Sequence, residues 1–247
     1  MGATLEQHAK GSGRAARFDR TSLVVAGVMV LLFSLVCYWY YAPTAPMTDE
    51  EVDQAIADVD RSSRKYTFSR ELSPENIDQM MIELRRFAAA DDGRPFYMAN
   101  IMKLREEGRP LYPDGYPDPK ATVEEADEAY GLAILPMLAR MGAHPTYLSA
   151  SNDNALGYGA TPDQDGWDQI ALLRYRSRRD FFRMLTDPVY SDAVIHKFAS
   201  MRTILITPTY PFGLPLNPMP DLPVLLFFVL SLSFTTWQWL RSRRGTG

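Results

Sequence analysis

Few side chains in this chain have the types and spacing that catalysis needs. His144 stands beside Pro145 at the start of a short apolar run, and His196 lies in a helical stretch further on. An imidazole titrates near neutral pH, so it can move a proton, ligate a metal or bind haem iron. Both histidines are isolated, with no HExxH or His-x-His spacing around them, so no metal site is expected. Haem held through His196 is disfavoured against a surface or interface histidine, and no cofactor is expected. Asn100 interrupts an apolar run, and a buried amide must find partners because leaving it unsatisfied is costly. It is therefore either a structural pin or a group that faces a ligand. Asn100, His144 and Tyr190 are the candidate catalytic residues, acting by acid–base chemistry. Lys103, Tyr147, Trp167 and Arg174 are the candidate ligand-binding residues, with cation and phenol groups suited to a small polar-aromatic molecule. Ordinary packing competes as an explanation for each, with Arg174 paired to an acid. The region holds no glycine-rich phosphate loop, no GxSxG elbow and no cysteine nucleophile.

These residues must be positioned by a small set of elements. Phe96–Leu104 alternates as a strand, with Met98, Asn100 and Met102 on one face and Tyr97, Ala99, Ile101 and Lys103 on the other. Thr122-Val123-Glu124-Glu125 is a capping box that opens a helix, in which Pro136 introduces a kink and Gly142 a stop. His144–Ala150 reads as a second strand. From Gly166 to Pro208 the order is strand, helix, helix, strand. Trp167 to Tyr175 forms the apolar run, Ser177 with Asp180 resembles a capping box, Asp187-Pro188 restarts a helix and Thr203–Thr207 closes the fold. Upstream, Ser73-Pro74 opens a helix with an apolar stripe from Ile77 to Phe87. Asp49–Lys65 is either an amphipathic helix, with Val52, Ile56 and Val59 on one side, or a solvated charged linker. The Pro- and Gly-rich segment 105–120 is an exposed loop or a lid. The resulting order of strand, helix, strand, strand, helix, strand predicts an α+β, ferredoxin-like βαββαβ domain with an antiparallel four-stranded sheet. One face of that sheet stays open for a cover, commonly a second copy.

Charge and hydropathy place this domain at a membrane. The net charge is -4 over 247 residues. Basic residues concentrate at the ends, with Lys10, Arg14, Arg17 and Arg20 in one tail and Arg241, Arg243 and Arg244 in the other. The acidic remainder argues against a nucleic-acid partner, since phosphate binding needs a basic patch. Ser22–Ala42 and Leu222–Leu240 are uncharged and apolar, near the length that crosses a bilayer. The first run ends in Tyr38-Trp39-Tyr40-Tyr41, suited to an aromatic belt, and the flanking basic residues predict that both termini are cytoplasmic. The central domain is then periplasmic or extracellular, and the location is the inner, cytoplasmic membrane. A cleaved signal peptide is the competing reading of the first run, but its apolar core is long for one and Ala42-Pro43-Thr44-Ala45 is a poor cleavage site. The single cysteine, Cys37, excludes an intramolecular disulfide.

The segments FYMANIMKLRE, YGLAILPMLARMG and GWDQIALLRYRSRRDFFRMLTDPVYSDAVIHKFASM resemble the dimeric α/β-barrel superfamily. Within it they are most similar to a family of small bacterial proteins known as a domain of unknown function. The resemblance covers roughly residues 72–210 and is carried by Asn100, Trp167-Asp168 and Asp187-Pro188-Val189-Tyr190. It implies the ferredoxin-like fold and a homodimer. Relatives in the superfamily include cofactor-independent monooxygenases, lactone isomerases, dehydratase-like proteins and some haem enzymes. The flanking membrane spans depart from those mostly soluble relatives.

The organisation expected is a cytoplasmic tail over 1–21, a transmembrane helix over 22–42 and a linker with helical potential over 43–71. The ferredoxin-like domain follows over 72–212, then a linker over 213–221, a second transmembrane helix over 222–240 and a tail over 241–247. Two functions fit. The preferred one is a membrane-anchored interaction module, an accessory subunit whose partners are the bilayer, its own copy and another membrane protein. The alternative is a small-molecule-binding protein or a monooxygenase- or isomerase-like enzyme that uses acid–base side chains in a domain pocket. Trp167→Ala is expected to harm folding more than Lys103→Ala.

Overall fold

The computed structural model describes residues 19–66, 72–106, 108–152, 155–157, 165–210 and 221–244. The tail over 1–18, most of the linker over 213–221 and the last residues of the linker over 43–71 lie outside them. The chain divides into two compact units. One joins Met1–Tyr38 to Pro220–Gly247, and the other spans Trp39–Met219.

The first unit contains two helices long and apolar enough to cross a membrane. They are α1 (Arg20–Tyr41), whose last three residues belong to the second unit, and, at the far end of the chain, α7 (Leu222–Arg244). The helices meet where the rings of Phe33 and Phe227 stand edge to face at 5.9 Å. At one end Arg241 pairs with Asp19, with nitrogen and oxygen 2.5 Å apart, so the start of α1 lies beside the end of α7.

The second unit is α+β. Local sequence explains most of its helices. Thr48 caps α2 (Asp49–Ser63) and Thr122 caps α4 (Val123–Arg140), each through a complete capping box in which the third helical glutamate reaches back to the cap N–H. Ser73 caps α3 (Pro74–Ala89) with Pro74 in its first turn. Segment 49–63 is therefore the helix rather than the solvated linker. Its Val52, Ile56 and Val59 are buried in the main core beside Ile77 and Met81 of α3. Ser177 caps α5 (Arg178–Leu185), but the carboxylate of Asp180 does not complete a box. It accepts from Arg176 at 2.8 Å instead, because two guanidiniums flank it and draw it away from the cap. Asp187 caps α6 (Pro188–Ser200) by accepting from Val189 N–H at 2.8 Å.

Four strands form one antiparallel sheet in the order β2-β3-β1-β4. They are β1 (Phe96–Leu104), β2 (His144–Ala150), β3 (Gln169–Tyr175) and β4 (Met201–Thr209). Register assigns the faces. Asn100 pairs with Ala171 and Ile206, and Met98 with Leu173, so these side chains share one face. Ala99 pairs with Leu172 and Thr207, and Leu172 with Tyr147, on the opposite face. Phe96, Met98 and Met102 are buried under the helices. Trp167 falls before β3 rather than within it and is half-buried. Its neighbour Asp168 pins the sheet where the β1–β4 register shifts, accepting from Leu104 N–H at 2.7 Å.

Candidate functional site

Between the helix-covered face of the sheet and helices α4 and α6 the packing leaves a cavity of about 580 Å³. This lies within the range of about 300–1,000 Å³ usual for small-molecule sites. Its walls are mostly apolar, with Met98 and Met102 from β1, Leu173 from β3, and Ile134 and Leu138 from α4. On α4 the inward stripe runs Asp127, Tyr130, Gly131, Ile134 and Leu138, positions at helical spacing that all line the cavity. A Cβ built on Gly131 meets nothing within 4 Å, so this glycine leaves a gap in the wall. Lining residues Leu132, Leu135 and Leu148 are exposed and mark the mouth.

Four groups set the polar chemistry inside. Asn100 is buried on β1, and its amide nitrogen donates to Met98 O at 3.1 Å. Tyr130 and Tyr190 face each other across α4 and α6 with ring centroids 6.4 Å apart. Burial, and secondarily the neighbouring Tyr190, pushes the Tyr130 phenol well above its ordinary range, so it stays protonated. Lys197 enters from α6 and holds its ammonium 5.0 Å from the centroid of the Tyr130 ring. Burial pushes this lysine down to about 8 from an ordinary 10.5, while the Asp127 carboxylate pulls in the other direction. Asp127 itself accepts from Gln169 at 3.0 Å. Together these groups offer one tunable cation, two phenols and an amide to an otherwise apolar guest.

The candidate residues from the sequence are divided among four places. Asn100 and Tyr190 line the cavity. Lys103 and Trp167 meet away from it, the ammonium 5.1 Å from the indole centroid. Tyr147 is exposed on the uncovered face of the sheet. His144 and Arg174 lie opposite each other on β2 and β3, next to the last turn of α1. There the Tyr40 side chain is 1% exposed and belongs to the domain rather than to an aromatic belt. The Arg174 guanidinium stacks on it at 3.6 Å and donates to Tyr40 O at 3.1 Å and Gly142 O at 3.4 Å. Arg174 is thus held by carbonyls and a ring instead of by an acid. Arg176 donates to Trp39 O at 3.4 Å, and Trp39 donates to Ala139 O at 2.6 Å. Gly142 has φ +68, and a Cβ there would meet Trp39 O at 2.6 Å, so the close approach requires glycine. His144 packs against the Tyr40 ring at 5.6 Å.

His196 lies outside the cavity lining. Its Nδ1 is 2.7 Å from the Tyr112 hydroxyl, and Tyr116 stacks on Tyr112 at 5.0 Å. Burial, then the charge of Lys120, lowers its pKa. Segment 105–120 packs on α6 through these tyrosines, with Leu111 N–H bonded to Ala199 O at 2.9 Å. None of its described residues lines the cavity.

Of the four groups that set the polar chemistry of the cavity, Lys197 and Tyr130 are absent from the candidate residues of the sequence. A signal was present: Lys197 falls four residues after Ala193 and seven after Tyr190, on the inward stripe of α6. A lysine in phase with an apolar stripe is an anomaly that only a polar partner or an internal space explains.

No family model matches this chain, and no curated protein matches it. Among solved structures it is similar to RPA0582, a protein of unknown function from Rhodopseudomonas palustris, with 28% identity and a TM-score of 0.46, over 55% of this chain and 94% of that one. The methylated form of RPA0582 matches with 28% identity and a TM-score of 0.47, over 56% of this chain and 93% of that one.

Proposed function

We propose that this chain is a membrane-anchored, ferredoxin-like module that binds a small, mostly apolar molecule between its sheet and helices α4 and α6. The observation that carries this reading is the cavity of about 580 Å³ bringing Asn100 and Tyr190 together with Lys197. The strand order β2-β3-β1-β4 supports the ferredoxin-like arrangement. Asn100, the protonated Tyr130 phenol and the Tyr190 side chain would orient the guest. Lys197, whose pKa stands close to physiological pH, would move a proton if the module is an enzyme. Native mass spectrometry of the full-length protein, released gently from membranes, tests the reading. A co-purified molecule of a few hundred daltons is expected, and the bare polypeptide mass from freshly prepared membranes would count against it.

A homodimer or an accessory role in a membrane complex is the second reading. The observation behind it is the uncovered sheet face, where Leu205 and Tyr147 are exposed beside Ile101 and Leu172. If a second copy covers this face, Leu205→Glu converts dimer to monomer in sedimentation of the solubilised protein. An unchanged dimer rejects that surface.

Both spans are proposed to cross the inner membrane with the termini cytoplasmic and the domain outside. The terminal basic residues and the Arg241–Asp19 pair support this arrangement. The burial of Tyr40 supports retention of the first span, because cleavage after Ala42 or Ala45 would strip a core side chain from the domain. The intact mass of the membrane-extracted protein is expected to include residues 1–42, and a shorter chain would refute this.

A further inference from the structure

We infer that the molecule taken up by the cavity carries a single acidic oxygen on an apolar body, and that this oxygen meets the Lys197 ammonium. The inference rests on the cavity being a binding site and adds the class of its ligand. Lys197 is the one basic side chain among the described residues that line the space. An ammonium has three donors and no acceptor. Here it has the Tyr130 ring on one side at 5.0 Å, and among the described residues it forms no ion pair.

Taking a cation out of water is costly unless an opposite charge or good acceptors replace the lost hydration. The acid that acts on it, Asp127, is already engaged by Gln169 and influences Lys197 only through space. The space beside the ammonium is therefore where an anionic oxygen gains most. The rest of the guest must be apolar, because Met98, Met102, Ile134 and Leu173 form the walls and the exposed leucines 132, 135 and 148 form the mouth. A second acidic group would face Glu128 at the rim with no further lining cation to balance it, which limits the guest to one. Free carboxylates, phenolates and stabilised enolates share this chemistry.

The full-length protein in lipid nanodiscs would be titrated calorimetrically with 4-propylbenzoate and with its neutral isostere 4-propylbenzamide, using empty nanodiscs as the blank. Wild type is expected to bind the acid at least about tenfold more tightly than the amide, as a charge-assisted hydrogen bond implies. Lys197→Met should bind the two equally, and Lys197→Arg should keep the preference. Equal binding of acid and amide by wild type, or a preference that survives Lys197→Met, overturns the inference while leaving the cavity as a site. Binding of neither probe overturns the cavity reading and this inference with it.

Discussion

Among the cations that sit over tyrosine rings in this domain, Arg174 and Lys197 do opposite things. Arg174 lies 3.6 Å from the Tyr40 ring, with main-chain carbonyls accepting from its guanidinium, and is 2% exposed. Lys197 lies 5.0 Å from the Tyr130 ring and borders about 580 Å³ of open space. The first site is filled: its fork of donors is matched by fixed acceptors, which is the use a guanidinium serves best. The second borders open space, and burial lowers the pKa of its ammonium. A buried cation with all its acceptors supplied by the chain holds structure together. One facing a cavity is available to a guest.

The largest expected effect lies on the filled side. Tyr40→Ala removes a fully buried ring and leaves Arg174 without its platform. It should cost about 3 kcal/mol or more and lower the melting temperature by about 10 °C in thermal unfolding. A loss within error would mean that the last turn of α1 is not part of the domain core.

On the unfilled side the sign reverses. The folded protein binds fewer protons than the unfolded chain between the lowered pKa of about 8 and the ordinary 10.5 of Lys197. Wild-type stability therefore gains a contribution as pH rises through that window, and below it carries the full cost of charging the buried ammonium. Lys197→Met removes that cost. It should raise the melting temperature by a few degrees at pH 7, with the advantage shrinking as pH climbs from 8 toward 10.5. A variant less stable than wild type at pH 7 would place Lys197 with Arg174 as a structural cation.

A smaller effect is expected at Gly131. Glycine in a helix interior costs up to about 1 kcal/mol relative to alanine, and a Cβ here meets nothing. Gly131→Ala should thus be stabilising by roughly 0.5–1 kcal/mol in denaturant unfolding, and a destabilised variant would mean that the wall has no gap. The smallest effects are expected at Lys103 and Trp167. Trp167 is half-buried against the Lys103 ammonium instead of filling the core, so the expected contrast between their alanine variants narrows to about 1 kcal/mol or less. The double variant should lose less than the sum of the two single changes.

What the sequence made legible was local. Thr122 with Glu125, Ser73 with Pro74 and Asp187 with Pro188 each announce a helix start through contacts that span four residues or fewer, and each is found in place. The period-two pattern of β1 likewise assigned Met98, Asn100 and Met102 to one face. Non-local facts were harder to read. Tyr40 belongs to a cluster of aromatics after an apolar run, a pattern that suits a membrane interface, and only the arrival of Arg174 from β3 takes it into the domain. His144 has the chemistry of a proton-transfer group, yet it packs on the Tyr40 ring. Lys197 becomes a cavity residue because α4 crosses near α6 and brings Tyr130 beside it, and no short-range pattern encodes that crossing.

The measurement that tests the central claim most directly is the binding of 4-propylbenzoate to wild type and to Gly131→Leu, both full-length in nanodiscs. The leucine side chain would enter the gap in the α4 wall without touching Asn100, Tyr190 or Lys197 chemically. If the space between the sheet and helices α4 and α6 is the functional site, Gly131→Leu binds at least about tenfold more weakly while its melting temperature stays at or above that of wild type. Equal binding by the two proteins would contradict the account.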